Sequence, residues 1–129
     1  MLFGYADADW ASDINDRKST SGYMFKLAGA AVSWSSKKQT SVALSSTKAK
    51  YIAGAHAAKE VVWLRQLLSE LGLGTRHPTT LLIDNQSAIA IAKNPEFHDR
   101  TKHIDVQYHF LRQVVNNNVV ELDYIPTGD

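Results

Sequence analysis

The sequence predicts an α/β domain built on a mixed five-stranded sheet with helices on both faces. Three observations lead to that class. Stretches rich in aromatic and β-branched residues fill the first third of the chain, a long stretch of helical period follows, and two later apolar stretches alternate with helical ones.

The elements follow in order. "LFGYADADWA" starts apolar and aromatic and turns polar at "SDINDRKST", which reads as a first strand and its connection. "SGYMFKLAGAAVSWSSKKQTSVAL" carries two strand-like stretches broken by the small residues of "LAGA", the pattern of a hairpin. From Thr47 to Leu71 the period changes. Gly54, Ala57, Val61, Leu64, Leu68 and Leu71 form an apolar stripe at helical spacing, and "LGLG" supplies a glycine stop. "TTLLID" is a short strand ending in Asp84, "NQSAIAIAKN" a short helix stopped by "NP", and "KHIDVQYHFLRQVVNNN" a further helix closed by asparagines. "VVELDYIP" alternates as a last strand.

The helix start raises a question of charge. Ser46 or Thr47 is placed to cap it, and the position three residues after Thr47, where a capping box carries Glu or Gln, holds Lys50. Extending the apolar stripe back one turn also lands on position 50. Lys50 therefore lies on the core-facing side of the first turn, where an ammonium must reach a polar site or snorkel out; Lys48 points elsewhere.

Composition narrows the partners. At 129 residues the chain has the length of one domain, 1–129, and the absence of cysteine excludes disulfides, thiol catalysis and thiolate metal sites. No run of eighteen apolar residues is present, so no membrane span is expected. Without the basic and apolar sections of a signal peptide, the expected location is intracellular, cytoplasmic or nuclear, although a piece of a longer polyprotein would read the same way. The net charge of +1 conceals an asymmetry: residues 1–16 hold four Asp and no base, residues 17–65 hold nine Lys or Arg against Glu60, and residues 66–129 hold five bases against eight acids. A basic block beside acidic strand ends suits a polyanion bound near a carboxylate site, and scattered solvated lysines are the alternative.

Asp7 and Asp9 fall near the end of the first strand, Asp84 at the end of the fourth. Carboxylates converging from separate elements are what two-metal phosphoryl transfer requires, because Mg²⁺ takes hard oxygen ligands. Taken together, "GYADADWA", "DRKSTSGYMF", "AVSWSSKKQTSVALSSTKAKYIA", "LLIDNQSAIAIAKNP", "RTKHIDVQYHFLR" and "VVELDYIPTGD" resemble the ribonuclease H domain of copia-type LTR retrotransposon Pol polyproteins. The resemblance covers nearly the whole chain and implies the βββαβαβα ribonuclease H-like order. It further implies cleavage of the RNA strand of an RNA/DNA hybrid, with Mg²⁺ or Mn²⁺ as cofactor and a reverse transcriptase domain in the parent polyprotein.

Position by position, the resemblance assigns catalytic and metal-binding roles to Asp7 and Asp84; Asp9, on the same strand face, sits further out. Two departures predict inactivity. Where the family has Ser-Ser-Thr-Glu-Ala-Glu-Tyr, with its catalytic acid at the second Glu, this chain has Lys48 and Lys50. An ammonium there removes a ligand oxygen and repels a divalent ion, or fills the metal position by pairing with Asp7 or Asp84. The family's final helix, carrying the fourth acid, would begin just past Asp129, which is not that ligand. Metal binding is therefore expected to be weak or lost.

Other residues offer binding functions. Ser35, Ser36, Lys37, Lys38 and Gln39 present donors suited to the phosphates of a hybrid, or form a solubilising loop. Trp10, Trp34 and Trp63 could stack on bases, but the apolar settings of Trp34 and Trp63 favour packing. His98, His103 and His109 near Asp105 lack the spacing of a zinc site. Three functions remain open: a degenerate ribonuclease H-like domain, a co-opted interaction protein with a regulatory or host-directed role, and an active Pol fragment.

Overall fold

The computed structural model describes residues 1–9, 14–93 and 106–126, the side chains of 106–108 excepted. The described residues hold eight elements: β1 (Leu2–Asp9), β2 (Thr20–Leu27), β3 (Ala30–Lys38), α1 (Ser46–Glu70), β4 (Thr79–Ile83), α2 (Gln86–Lys93), α3 (Val106–Asn116) and β5 (Val120–Tyr124). They form one sheet in the order β3-β2-β1-β4-β5. The pairs β1–β2 and β2–β3 are antiparallel, and β1–β4 and β4–β5 are parallel.

The α/β class, the five strands and their mixed pairing match the sequence reading. The expected placement of helices on both faces is corrected among the described residues. Helix α1 packs on β1, β2 and β4 and touches both α2 and α3, which touch each other. All three share one face because the parallel crossovers, β3 to β4 through α1 and β4 to β5 through α2 and α3, step the same way along the sheet. Right-handed connections then put every helix on the same side. Alternation along β1 records this: Leu2, Gly4, Ala6 and Ala8 are buried under the helices, whereas Phe3 and Tyr5 are half-buried and Asp7 and Asp9 exposed.

Two close approaches tighten the layer. A Cβ on Gly4 would clash with the ring of Phe25, so the bare backbone of β1 makes room for the fully buried phenyl group of its neighbour strand. Gly54 similarly lets α1 descend onto Ile83 and Leu111.

Local signals explain where the elements end. The β2–β3 hairpin turns on Ala28 and Gly29, at φ 52° and 85°, as a two-residue loop between twisted strands demands. Helix α1 is capped by Ser45, one residue before the expected caps; its Oγ accepts from the Lys48 N–H at 3.1 Å. The capping-box position therefore belongs to Lys48, and Lys50 lies two residues further on. At the other end the Leu73 and Gly72 N–H groups donate to the carbonyls of Leu68 and Ser69, with Gly72 at φ 76°. Helix α3 closes the same way: Val119 and Asn118 donate to Val114 and Val115, with Asn118 at φ 60°.

Two further expectations change. Trp34 is 70% and Trp63 57% exposed, so neither packs as their apolar neighbours suggested. Among the described residues strand β3 is the sheet edge, and Trp63 lies on a flank of α1 away from the buried stripe. Leu71, the last member of that stripe, is exposed at the helix cap. Trp10, the "NP" stop, His98, His103, Ile104, Asp105 and Asp129 lie outside the described residues. Among the described residues no helix is long and apolar enough to cross a membrane.

Candidate functional site

The carboxyl ends of β1 and β4 are neighbours in a parallel pair, which carries Asp7 and Asp84 to the same end of the sheet. The first turns of α1 start from that end and bring Lys50 between them. Its Nζ lies 2.9 Å from Asp84 Oδ1 and 3.7 Å from Asp7 Oδ1. The setting is graded: the Asp84 side chain is 9% exposed, that of Lys50 17%, and that of Asp7 62%. Asp7 Oδ1 also accepts the N–H of Ala8 at 2.7 Å.

Burial pulls the Lys50 pKa down, but Asp84 and then Asp7 outweigh it, and the ammonium is held above the ordinary lysine range. The group is therefore a permanent cation at neutral pH. A cross-link sets its position. Asn85 Nδ2 donates to Thr47 Oγ1 at 3.2 Å, tying the start of α1 to the β4–α2 connection, while Asn85 Oδ1 caps α2 by accepting from the Ala88 N–H at 2.8 Å. Sequence reasoning passed over Asn85. The signal was present in "DNQSA", where an Asn directly before a helical run is a cap.

Ribonuclease H-type chemistry would call for a divalent ion against these carboxylates. The residues present do not fit one. The Lys50 ammonium already neutralises Asp84 at contact distance and stands beside Asp7, so a dication at these two carboxylates would meet a fixed positive charge. Among the described residues no group of three or more His, Asp or Glu side chains could hold a metal. His109 is exposed and its Nδ1 lies 3.3 Å from Arg112 Nη2. Asp9 is exposed further along β1. An open hollow of about 330 Å³ adjoins the triad, lined by Tyr5, Asp7, Leu82, Asp84, Ile125 and Pro126.

The five residues expected to contact phosphates do not form one surface. Ser36, Lys37 and Lys38 are exposed and Ser35 half-buried, but strand alternation divides them between the two sheet faces. Lys38 Nζ is held by Asp16 Oδ2 at 2.6 Å. Gln39 is a correction: it is buried, and its amide donates to Ser21 Oγ and the Ala49 carbonyl, both at 2.9 Å. The end of β3 turns inward there and needs a polar bridge to α1, so Gln39 is structural.

No protein-family model matches the chain. Over all 129 of its residues it is 47% identical to the retrovirus-related Pol polyprotein from transposon TNT 1-94 of Nicotiana tabacum, of which it spans 10%. Over 128 residues, 99% of the chain, it is 43% identical to the corresponding polyprotein from transposon RE2 of Arabidopsis thaliana, of which it spans 9%. Its homologues are retrotransposon Pol polyproteins.

The Pol-related chain thus spans about a tenth of the length of these curated relatives. Part of it, 63 residues or 49% of the chain, is 62% identical to the secreted RxLR effector protein 161 of Plasmopara viticola and covers 44% of that protein. Among solved structures it resembles LC11-RNase H1, crystallised in complex with an RNA/DNA hybrid. The TM-score is 0.63 at 12% identity, covering 98% of this chain and 86% of that one. At that identity the likeness establishes the fold alone, the ribonuclease H-like architecture.

Proposed function

We propose that this Pol-derived domain is a ribonuclease H-like module that retains affinity for RNA/DNA hybrid without cleaving it. Its ancestral activity, on this reading, was two-metal hydrolysis of the RNA strand beside a reverse transcriptase domain, with Asp7 and Asp84 among the metal ligands. The observation that carries the proposal is the Lys50 ammonium seated between Asp84 and Asp7. An internal cation takes the place of the missing carboxylate and neutralises the two that remain. Losing a ligand from a site whose members act as a unit costs orders of magnitude in rate.

The test is cleavage of a labelled RNA/DNA hybrid in Mg²⁺ and in Mn²⁺, beside an Asp7→Asn control, with hybrid retention measured in the same samples. Retention without cleavage is the expected result. Cleavage that disappears in the control would overturn the proposal and favour an active Pol fragment. A variant carrying Lys48→Glu and Lys50→Glu asks whether acid alone restores activity.

A second reading is a non-enzymatic interaction module with a host-directed role. What favours it is the 62% identity over 63 residues with a secreted effector. Tight capture of a protein partner by a domain with no affinity for hybrid would support this reading over the first.

A further inference from the structure

A second hollow among the described residues is separate from the Asp7–Lys50–Asp84 triad. It is an open groove of about 630 Å³ between the helix-facing side of β2 and β3 and one flank of α1, within the range of small-ligand sites. On its sheet wall Tyr23 pairs with Ser35 across the β2–β3 ladder, and Lys37 pairs with Ser21 one step closer to the triad end. On its helix wall His56, Lys59 and Trp63 recur at helical spacing along α1.

The basic block of the sequence thus becomes a groove wall, since β2, β3 and the groove-facing part of α1 all fall within residues 17–65. Lys37 and Lys59 are exposed and make no ion pair among the described residues. The carboxylate that faces them, Glu60, accepts from Ser33 Oγ at 2.6 Å. Trp63 stands at the rim with its indole 57% exposed.

We infer that this groove binds single-stranded nucleic acid, with Lys37 and Lys59 against the phosphates and Trp63 stacked on an unpaired base. Cations alone would accept any polyanion, but a large exposed indole one helical turn from Lys59 discriminates. Paired strands turn base edges outward and keep base faces stacked on one another, whereas an unpaired strand presents those faces. Hydroxyl groups of Ser35 and Tyr23 line the floor as further donors. The inference goes beyond the hybrid reading, because it concerns a different surface and holds whether or not the triad cleaves.

The probe is a fluorescein-labelled oligothymidylate of about 15 nucleotides, matching the length such grooves cover, titrated by anisotropy and by quenching of tryptophan fluorescence. Blunt hybrid of the same length is run in parallel. The single strand is expected to bind and to weaken with salt. Trp63→Ala should loosen it roughly tenfold, while Trp63→Phe keeps most of the affinity. Lys37→Glu combined with Lys59→Glu should lower both the affinity and its salt dependence. Circular dichroism confirms folding, and all three side chains are exposed, so the fold does not depend on them. Equal binding by Trp63→Ala and the parent would overturn the inference. So would equal affinity of all variants for blunt hybrid and single strand, which would mean that the surface reads charge alone.

Discussion

Lys50 Nζ and Asp84 Oδ1 meet at 2.9 Å, with the carboxylate side chain only 9% exposed. A lysine that helix-start physics disfavours is held by an acid that would otherwise be a largely buried charge. Each explains the other. Lys50→Ala leaves Asp84 without its cation and should lower stability by about 2 kcal/mol, because removing one partner of a sequestered pair exposes the desolvation cost of the other. Lys50→Glu should destabilise further in metal-free buffer and regain stability on addition of Mn²⁺, which Lys50→Ala should not match. Urea midpoints with and without metal measure both effects.

Alkaline pH should destabilise the protein through Tyr51. Burial pushes its hydroxyl up to about 12, against the lowering effect of Arg112. A group that holds its proton more tightly when folded contributes stability that is complete below its unfolded pKa, here 10.0, and lost as the pH rises through the folded value. The loss between those limits should reach on the order of 2 kcal/mol. Denaturant midpoints from neutral pH upward should fall across that window, and Tyr51→Phe should flatten the fall.

Gly4→Ala should destabilise by about 2 kcal/mol, because the new methyl group falls onto the fully buried Phe25 ring. Phe25→Leu combined with it should recover part of the loss. A thermal melt of the single and double variants gives the coupling. Additive effects would show that the two positions do not compete for the same space.

Gln39 and Lys37 are two residues apart and should behave oppositely. Gln39→Ala removes two buried hydrogen bonds and should cost about 2 kcal/mol of stability, with nucleic-acid affinity unchanged in the folded protein. Lys37→Glu should leave the melt within about 0.5 kcal/mol of the parent and weaken nucleic-acid binding. Paired melting and anisotropy experiments separate the roles.

Much of the site was readable before any geometry. The period of α1 placed Lys50 inward, and the ends of two short apolar runs placed Asp7 and Asp84 at strand termini. What escaped the sequence concerns partners far along the chain. The Asn85–Thr47 bond spans 38 positions, and the Gln39 amide reaches Ser21 and Ala49 in two other elements. Trp34 and Trp63 looked buried because apolar neighbours suggest burial. Whether an element lies over a given strand edge or helix flank is not written in that local pattern.

Sequence by itself determined the elements, their order and the basic helix start at Lys48 and Lys50, because period, turn chemistry and capping act over a few residues. Only the tertiary structure decided that the helices share one face, that the basic block lines a groove and that Lys50 spans two carboxylates. Those outcomes depend on crossover handedness and on distances between groups remote in the chain, which folding alone sets.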